Sequence, residues 1–421
     1  MLKVGVIGVG TVGTSVVKIL QDNKEMITAR AGREVVVKSG AVRSLERDRG
    51  LDIALTADPY EIVDDPEIDI VVELMGGVEA PFAIVKRALE NGKAVVTANK
   101  ALLAYHRYEL QELAGDLAFE YEASVAGGIP IINALRDGLS ANHIESIVGI
   151  MNGTCNYMLT KMTEEGVDFD AILKEAQELG YAEADPTFDI GGFDAAHKLL
   201  ILASIAYGID AKPEDILIEG IEQVTQEDIV FAKEFGYALK LLGIARTDGD
   251  DVELRVHAAL IRKEEMIAKI DGVMNGISVV GDRVGETLFY GPGAGGDATA
   301  SAVVANIIDI ARAGGKRSPM LGFNSPLEQG LRLRAADEIV SKYYLRLRVE
   351  DRPGVLARIT KLFGEYDISI ETMLQRPSDG THANLLFATH RALERNMKAV
   401  LSAIGELAFV AAEPVMIRIL D

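Results

Sequence analysis

The sequence predicts an α/β protein in three parts: a doubly wound parallel sheet, an α+β domain and a small domain of βαββαβ order. Short apolar segments alternate with helix-like segments through the first third of the 421 residues. From about residue 131, longer helices and glycine-rich corners replace that alternation, and PMLGFNSPLEQG near residue 320 is rich in proline, glycine and serine. We therefore expect domains at residues 1–130, 131–318 and 343–421, with a linker at 319–342.

Composition and charge limit the classes of partner. With 48% hydrophobic and 25% charged residues, the chain has the composition of a globular protein. Its formal net charge of -21 argues against nucleic acid or an anionic membrane surface as a partner. The longest apolar run, LLILASIAYGI, is too short to cross a bilayer. The single cysteine, Cys155, excludes an intrachain disulfide framework and suits a reducing compartment, so we expect a cytoplasmic protein.

The elements of the first domain follow from runs of apolar residues. Four segments predict strands that are buried on both faces: KVGVIGV, VVVKSGAV, IDIVVELM and KAVVTANK. Two segments between them, GTVGTSVVKILQD and PFAIVKRALENG, predict crossover helices. Buried strands joined by such helices predict a parallel sheet.

The first strand runs into a glycine-rich turn. Gly8, Gly10 and Gly13 have the spacing G-x-G-x-x-G, directly after a strand and at the start of a helix. The first glycine permits the tight turn, the second admits a pyrophosphate, and the third lets the helix lie close to the strand. We therefore expect a Rossmann-type nucleotide domain, with Thr11 and Val12 beside the phosphates. The other interpretation is a bare strand-to-helix turn.

The end of the second strand indicates which nicotinamide cofactor binds. An acid there would bind the ribose 2′-hydroxyl of NAD, whereas an arginine suits the 2′-phosphate of NADP. Glu34 lies at the start of this strand, and Arg43 and Arg47 lie at or beyond its end. NADP is therefore favoured over NAD, with Arg43 as the phosphate contact, unless Arg43 is a solvated loop charge.

A lysine stands in an otherwise apolar helical segment of the second domain. In FDAAHKLLILASIAYG, Asp194 and Lys198 are four residues apart and share a helix face. Because the neighbouring residues leave almost no polar face, we expect Lys198 to be partly buried, with a pKa lowered by desolvation. Such a lysine can exchange a proton with a substrate hydroxyl or carbonyl. The spacing alone leaves catalysis and a structural ion pair equally open.

The segment that contains this lysine resembles the signature of homoserine dehydrogenases. It reads A-x3-G-Y-A-E-x-D-P-x2-D-x2-G-x-D-x3-K from Ala176 to Lys198, and its many fixed positions make the match specific. The resemblance implies that Glu183 and Asp194 bind the homoserine end of the substrate, with Asp189 as a supporting carboxylate. It also implies that Lys198 is the general acid/base.

Two further segments resemble substrate-side parts of that family. VVTANKALLA places Lys100 after a predicted strand, where the resemblance implies a lysine that reaches cofactor and substrate. The other interpretation, a surface lysine before a helix, is common in general but is less favoured at the carboxyl end of a parallel strand, where ligands bind. MNGTCNYML resembles the segment in which Gly153 and Thr154 lie next to the substrate, although Cys155 stands where a second threonine is common. We interpret Cys155 as a small buried residue.

FEYEASVAGGIPII resembles the family's monovalent-cation loop. The resemblance implies a sodium ion held by oxygens of four residues: Glu122, Val125, Gly127 and Ile129. Hard cations prefer oxygen ligands of this kind.

A second glycine-rich turn, in YGPGAGGDATASAVVANIIDIA, leads into a helix at about 295–315. The resemblance implies that this helix returns to the nucleotide domain and that Gly295 lies against the cofactor. The other interpretation is a flexible loop before a packing helix.

Residues 343–421 show the order strand, helix, strand, strand, helix, strand, which predicts a ferredoxin-like fold. The stretch VEDRPGVLARITKLFGEYDISI resembles an ACT domain. This implies an amino-acid ligand, expected to be threonine, at the turn that contains Pro353 and Gly354. A dimerisation module without a ligand is the other interpretation.

The resemblance covers nearly the whole chain and implies interconversion of L-aspartate 4-semialdehyde and L-homoserine with NADP or NAD. We expect a homodimer or homotetramer. Two alternatives are another NAD(P)-dependent amino-acid dehydrogenase and a non-catalytic amino-acid sensor with the same fold. The motif at 176–198 argues against the first, and the presence of the candidate lysines, acids and glycines argues against the second.

Overall fold

The computed structural model describes residues 1–316, 322–323, 330–377 and 380–420. Helices pack against two sheets, one of six strands and one of twelve. Within the expected linker at 319–342, residues 319–321 and 324–329 lie outside the described residues.

The N-terminal sheet is parallel, with the spatial order β3-β2-β1-β4-β5-β6. Its strands are β1 (Leu2–Ile7), β2 (Val35–Ala41), β3 (Ala54–Thr56), β4 (Ile70–Glu73), β5 (Ala94–Thr97) and β6 (Phe119–Glu120). This order places a crevice at the carboxyl ends of β1 and β4, where dinucleotides bind in such sheets. The predicted Rossmann-type sheet is confirmed. The strands β3 and β6 were not predicted, because two or three residues carry no detectable periodicity.

The helices of this domain flank the sheet. They are α1 (Thr11–Asp22), α2 (Lys24–Ala31), α3 (Tyr60–Val63), α4 (Glu79–Glu90) and α5 (Lys100–Ala114). The helix α1 buries Val16, Val17 and Leu20 at the helical spacing that its sequence predicts. By contrast, α2 was not predicted, since only Ile27 and Ala31 of KEMITARA are buried.

The middle domain places helices on one large, mainly antiparallel sheet, in which, among its described strands, only the short strand β8 (Leu217–Ile218) pairs in parallel with its neighbour. Its strands are β7 (Ile144–Ile150), β8 (Leu217–Ile218), β9 (Tyr237–Asp248), β10 (Asp251–Arg262), β11 (Met274–Gly281) and β12 (Gly285–Pro292). Its helices are α6 (Ile131–Asn133), α7 (Gly153–Glu165), α8 (Phe169–Glu178), α9 (Thr187–Ile190), α10 (Phe193–Tyr207) and α11 (Gln226–Glu234). Because α10 lies between α5 and the strands β9 and β10, it joins the nucleotide domain to this sheet.

The helix α12 (Gly296–Ala313) leaves the middle domain and packs against α1 and α2. It buries Val303 and Ile307 in the same core as β1. Arg312 Nε donates a hydrogen bond to the carbonyl of Arg30 at 2.8 Å. The nucleotide sheet is therefore covered by a helix from a distant part of the chain.

The C-terminal domain has the predicted βαββαβ order, with one short strand, β17 (Ala392–Leu393), added. A short strand ahead of it, β13 (Arg332–Leu333), pairs with β10 of the middle domain. The elements of the C-terminal domain are β14 (Val340–Glu350), α13 (Val355–Glu365), β15 (Ile370–Pro377), β16 (His382–Thr389), β17 (Ala392–Leu393), α14 (Glu394–Gly405) and β18 (Val415–Ile419). β18 also pairs with β10 of the middle domain, with Arg418 beside Ala259. The sheets of the two domains are therefore continuous, which the sequence did not predict.

A membrane span needs a long and strongly apolar helix, and none occurs among the residues that the structure describes.

Candidate active site

Asp194 is the centre of a buried cluster of charges at the start of α10. Its carboxylate oxygen Oδ2 accepts a hydrogen bond from Lys198 Nζ at 2.7 Å. Lys100 Nζ donates to the other oxygen, Oδ1. Lys100 is the first residue of α5 and belongs to the nucleotide domain. One carboxylate therefore holds two ammonium groups that come from different domains.

Lys198 is buried because α10 is covered on almost every side. Its neighbours Leu199 and Leu200 are fully buried, and Lys198 Nζ also donates to the main-chain oxygen of Met151 at 2.7 Å. Burial lowers the pKa of Lys198 below its ordinary value, although the charge of Asp194 opposes the shift. Burial alone would raise the pKa of Asp194, but the two ammonium groups hold it well below its usual range. A lysine tuned in this way can donate and accept a proton.

Asn152 connects Asp194 to Asp189. Its Nδ2 donates to Asp189 Oδ1 at 2.8 Å and to Asp194 Oδ2 at 2.9 Å. Its Oδ1 caps α7 by accepting from the main-chain N–H of Cys155 at 2.8 Å. Burial raises the pKa of Asp189 above its ordinary value, and the charge of Asp194 adds to the effect. Asp189 is thus part of the same cluster.

The other substrate-side candidates lie around this cluster at different depths. Gly153 begins α7, and a Cβ there would lie 2.7 Å from the carbonyl oxygen of Val273. The Thr154 hydroxyl donates to the carbonyl of Tyr181 at 2.6 Å, which holds the following acidic loop against α7. Glu183 of that loop is exposed, and its carboxylate forms no hydrogen bond or ion pair with a described residue. The structure brings the loop, but not the Glu183 carboxylate, to the cluster.

Aromatic rings form an outer wall around this cluster of charged side chains. Lys100 Nζ lies 5.5 Å from the ring centroid of Phe188. The His197 ring lies edge-on to Phe188 and to Tyr105, at centroid distances of 5.1 Å and 5.8 Å. Burial lowers the pKa of His197 to about 4, so its ring is neutral at physiological pH. We interpret His197 as a packing residue of this wall.

Lys100 is positioned by the loop that follows β5. Asn99 caps α5, and its Nδ2 donates to the carbonyl of Gly77 at 2.9 Å. The Thr97 hydroxyl donates to Glu73 Oε2 at 2.6 Å and accepts from the Asn99 N–H at 3.0 Å. Burial raises the pKa of Glu73 to about 7. These bonds join the carboxyl ends of β4 and β5 and place Lys100 at the ligand-binding edge of the sheet.

The glycine turn after β1 has the shape that a pyrophosphate needs. Gly8 has a φ of +96°, and a Cβ there would lie 2.6 Å from the carbonyl oxygen of Leu74. A Cβ at Gly13 would lie 2.5 Å from the carbonyl oxygen of Gly8. At Gly10, however, a Cβ would meet no atom within 4 Å, because the turn opens onto a cavity of about 320 Å³. The turn therefore fits a dinucleotide.

Two helices begin side by side at this turn. Thr11 and Val12 form the first turn of α1, and Gly295 precedes the first residue of α12. A Cβ at Gly296 would lie 3.1 Å from Thr11 Cγ2, so the two N-termini are adjacent. Helix N-termini present unpaired N–H groups and a positive dipole end, which suit an anion.

Arg43 and Arg49 line the same cavity beyond the end of β2. Arg49 Nε donates to the carbonyl of Val9 at 2.9 Å, which fixes it over the glycine turn. No carboxylate occurs among the described residues that line this cavity. Arg49 was not identified from the sequence, because the run RSLERDRG does not show which arginine turns inward.

Glu122 lies in a buried loop between β6 and α6. Its Oε1 accepts from the Ile132 N–H at 2.9 Å, and its Oε2 accepts from the Asn133 N–H at 2.7 Å. Burial raises the pKa of Glu122 to about 7.

The main-chain oxygens of the same loop differ in their partners. Ile129 O accepts from the Ile131 N–H at 2.8 Å, whereas the oxygens of Val125 and Gly127 accept no backbone hydrogen bond from a described residue. Clusters of three or more His, Cys, Asp or Glu side chains able to hold a metal are absent from the described ranges. A carboxylate and two available carbonyl oxygens fit a hard monovalent cation better than a transition metal.

Two asparagines of the cluster were not identified from the sequence. Asn152 directly precedes the helix at Gly153, and asparagine is a preferred N-cap, so a signal was available. Asn275 Nδ2 donates at 3.0 Å to Met151 O, the oxygen that also accepts from Lys198. It is the second residue of β11 and carries no local signal.

Family models match three parts of the chain. They are described as "Homoserine dehydrogenase" at residues 130–308, "Homoserine dehydrogenase, NAD binding domain" at 8–121 and "ACT domain" at 343–409.

Similar proteins and structures carry the same name. A homoserine dehydrogenase of Helicobacter pylori is 53% identical over 419 residues, with 99% of each chain covered. One of Neisseria gonorrhoeae is 45% identical, covering 99% of this chain and 98% of that one. The crystal structure of a homoserine dehydrogenase from Thiobacillus denitrificans is 47% identical and covers 100% of this chain and 98% of that one, with a TM-score of 0.93. A hyperthermophilic archaeal homoserine dehydrogenase mutant in complex with NADPH is 28% identical, covering 73% of this chain and 97% of that one, with a TM-score of 0.63.

Three observations agree: the matched family regions, the similarity over almost the full length, and the presence of both a dinucleotide turn and a lysine–aspartate cluster. The chain belongs to the homoserine dehydrogenase family.

Proposed function

We propose that this chain interconverts L-homoserine and L-aspartate 4-semialdehyde with a nicotinamide cofactor. The observation that carries the proposal is the pairing of Asp194 with both Lys198 and Lys100. This pairing supports a proton donor at the edge of the sheet where the dinucleotide turn lies. An alcohol oxidation at this place needs such a group, because the hydroxyl must lose a proton as its carbon loses hydride.

Lys198 is the general acid/base. In the oxidative direction its neutral amine accepts the proton of the homoserine hydroxyl, and in the reductive direction its ammonium returns a proton to the aldehyde oxygen. When bound, a nicotinamide supplies or accepts the hydride at the carbon that carries this oxygen. Burial of Lys198 brings its two protonation states closer in free energy, which serves both directions.

The substrate is held by groups around this lysine. We assign Asp194 and Asp189 to the inner part of the site, with Gly153 and Thr154 at the start of α7 as the adjoining wall. Glu183 is exposed at the rim, so we assign it to the substrate ammonium at the outer end. Lys100 stands between the acids and the nucleotide turn and contacts both substrate and cofactor.

NADP is the favoured cofactor, with NAD as the other candidate. Gly8, Gly10 and Gly13 would hold the pyrophosphate together with the N-termini of α1 and α12, at Thr11, Val12 and Gly295. The absence of an acid from the described lining and the presence of Arg43 and Arg49 support a 2′-phosphate contact. The NADPH in the archaeal relative agrees with this assignment.

A monovalent cation, sodium, would be held by Glu122 with the main-chain oxygens of Val125, Gly127 and Ile129. A cation there would compensate the burial of the Glu122 carboxylate. Since this loop joins β6 to α6, the ion would stiffen the passage from the nucleotide domain to the middle domain.

The ACT domain would regulate the enzyme by binding an amino acid, with threonine as the candidate. Its Arg418 is bonded to Glu219 of the middle domain at 2.6 Å and to Glu394 of α14. Residues near Glu219 reach the active site, because the Ile221 N–H donates to the carbonyl of Ile190 at 2.9 Å. A cleft of about 640 Å³ lies between α14, β18 and residues 219–224. A ligand that moves the ACT domain would therefore act on the loop beside Asp189.

We propose three domains. The nucleotide domain comprises residues 1–130 and is completed by the helix at about 295–315. A substrate and dimerisation domain follows at 131–318, and the ACT domain comprises 343–421. The turn before α13, where Gly354 has a φ of +90°, remains the proposed ligand contact of the ACT domain. A homodimer or homotetramer in the cytoplasm is part of the proposal.

Steady-state assays with L-homoserine and each nicotinamide, with and without threonine, test the proposal. We expect oxidation of homoserine with NADP, and a panel of other amino alcohols should give much lower kcat/KM. A substrate preference for another amino acid would favour a different dehydrogenase, and no oxidation with either cofactor would contradict the proposal.

A further inference from the structure

We propose that Asn152 is a positioning residue whose single amide group holds Asp189 and Asp194 side by side. It thereby fixes the Asp194 carboxylate, which is hydrogen-bonded to Lys198, the proposed general acid/base. The inference rests on the proposed function and adds a residue that neither the motif nor the acid/base assignment includes.

The orientation of the Asn152 amide follows from its partners. Its Oδ1 accepts from the Cys155 N–H, so its Nδ2 must face the two carboxylates. A flipped amide would place an N–H₂ group against an N–H donor and an oxygen against two acids. Asn152 is 4% exposed, so water cannot easily replace either bond. The capping of α7 therefore determines which end of this amide reaches the active site.

The two acids need this bridge for different reasons. Asp194 Oδ2 accepts from both Lys198 and Asn152, so two donors from different helices fix the direction of that oxygen. The Asp189 carboxylate has no ammonium partner among the described residues, and Asn152 Nδ2 is its hydrogen-bond donor. Like charges placed together disfavour ionisation, and a shared donor counters that effect. Loss of the bridge would let Asp189 become protonated or turn away.

Two substitutions separate the bridge from the helix cap. Asn152→Ser and Asn152→Asp both retain a side chain that is a good N-cap, so α7 should keep its start. The serine variant is too short to bond both acids. The aspartate variant places a third carboxylate against them, beside the groups that face Lys198, which are Asp194, Lys100 and Asp189.

We expect both variants to lower kcat, by about 10- to 100-fold for the serine variant and by more for the aspartate variant, because misplacement of reacting groups has effects of this size. The aspartate variant should also move the pH dependence of kcat to higher pH, since an added anion stabilises the Lys198 ammonium. NADPH binding, measured by its fluorescence, should stay within a few-fold of the unsubstituted enzyme. If NADPH binding is retained in this way, the added carboxylate, and not the loss of α7, explains the shift in the pH dependence of kcat.

Three outcomes are decisive when the melting temperature is measured alongside. A serine variant with unchanged kcat, KM and pH profile would overturn the inference. Equal losses in both variants with an unmoved pH profile and a lowered melting temperature would also overturn it, since they indicate a structural role only. Failure of the proposed function is distinguishable, because the unsubstituted enzyme would then not oxidise homoserine.

Discussion

Asp194 and Lys198 lie one turn apart on α10 and form a buried ion pair, with 2.7 Å between Asp194 Oδ2 and Lys198 Nζ. Lys100 binds the other oxygen of the same carboxylate from a different domain. The pair is therefore not a surface contact of the kind that i,i+4 spacing usually produces. It is the point at which side chains of the nucleotide and middle domains bind the same carboxylate.

Lys198→Ala should abolish turnover while leaving NADPH binding largely intact. A general acid/base contributes about 10²- to 10⁴-fold to a reaction rate, so kcat should fall by at least about 100-fold. Asp194 would still be paired with Lys100, so the fold should survive. Lys174→Ala is a control, because Lys174 also pairs with an acid one helical turn away, at 3.9 Å from Glu178, but is exposed. Normal kcat in the Lys198 variant would refute its role.

The pH dependence of the two directions should be opposite. Oxidation needs the neutral amine of Lys198, so its kcat should rise with pH, and reduction needs the ammonium, so its kcat should fall. Because burial lowers the pKa of Lys198, both limbs of the pH–rate profiles, the rising one for oxidation and the falling one for reduction, should lie below pH 10.5, the ordinary pKa of lysine. The charge of Asp194 raises that pKa, so Asp194→Asn should move the limbs to lower pH as well as reduce kcat. Initial rates across pH in both directions measure this, and an unmoved limb in the variant would speak against it.

The long elements could be read from the sequence because their apolar runs match a single period. The first strand was expected in KVGVIGV, residues 3–9, and β1 spans Leu2–Ile7. The joining of β10 to β18 could not be predicted, since pairing between distant strands leaves no local pattern. Residue spacing likewise placed Asp194 and Lys198 on one face but could not bring Lys100 to them, because that contact spans two domains.

Arg43→Ala should weaken NADP binding by about tenfold and leave NAD binding nearly unchanged. Bonds to charged groups contribute about 1.5–3 kcal/mol, and 1.4 kcal/mol corresponds to a factor of ten. Arg47→Ala is the control, because Arg47 belongs to the same loop but is absent from the cavity lining. Titration with both cofactors measures the effect. An equal loss for NADP and NAD would show that Arg43 does not contact a 2′-phosphate.

Sodium should stabilise the protein above about pH 7 through Glu122. The pKa of Glu122 is raised from 4.5 to about 7, so the associated stability is present below 4.5 and is lost as pH rises to 7. A bound cation favours the ionised form and should restore that loss. Melting temperatures in sodium chloride and in choline chloride of equal ionic strength measure it.

The variant Glu122→Gln provides the comparison for sodium. It keeps one of the two acceptors for the Ile132 and Asn133 N–H groups, and loss of the other acceptor should cost about 1–3 kcal/mol. Because glutamine does not ionise, the loss of stability that Glu122 causes as pH rises to 7 should be absent from the variant. The sodium-dependent gain, however, should disappear. Glu73 also has a pKa raised to about 7 and is unchanged in this variant, so the difference between the two proteins isolates Glu122. An equal sodium gain in both proteins would place the cation elsewhere.

Glu219→Gln should retain basal turnover and lose most of the response to an amino-acid effector. Glu219 forms two hydrogen bonds to Arg418 of the ACT domain, at 2.6 and 2.9 Å. Its side chain is 40% exposed and lies outside the charge cluster of the active site, so its neutralisation should leave the chemistry intact. Arg418 keeps Glu394 as a buried partner, so the ACT domain should remain folded. The residues after Glu219 contact Ile190, so a weaker link at Arg418 should uncouple ACT movements from the loop of Asp189.

The measurement for Glu219 is the threonine concentration that halves the rate. Glu371→Gln is the control, since Glu371 accepts a hydrogen bond from Lys342 of β14 at 2.9 Å and forms no hydrogen bond or ion pair with the described residues 219–224. We expect the control to respond as the unsubstituted enzyme does, whereas Glu219→Gln should require at least tenfold more effector, equivalent to about 1.4 kcal/mol of coupling. If both variants respond normally, the ion pair does not transmit the signal. If neither the variants nor the unsubstituted enzyme responds, threonine is not the effector. The same comparison is then made with the other proteinogenic amino acids.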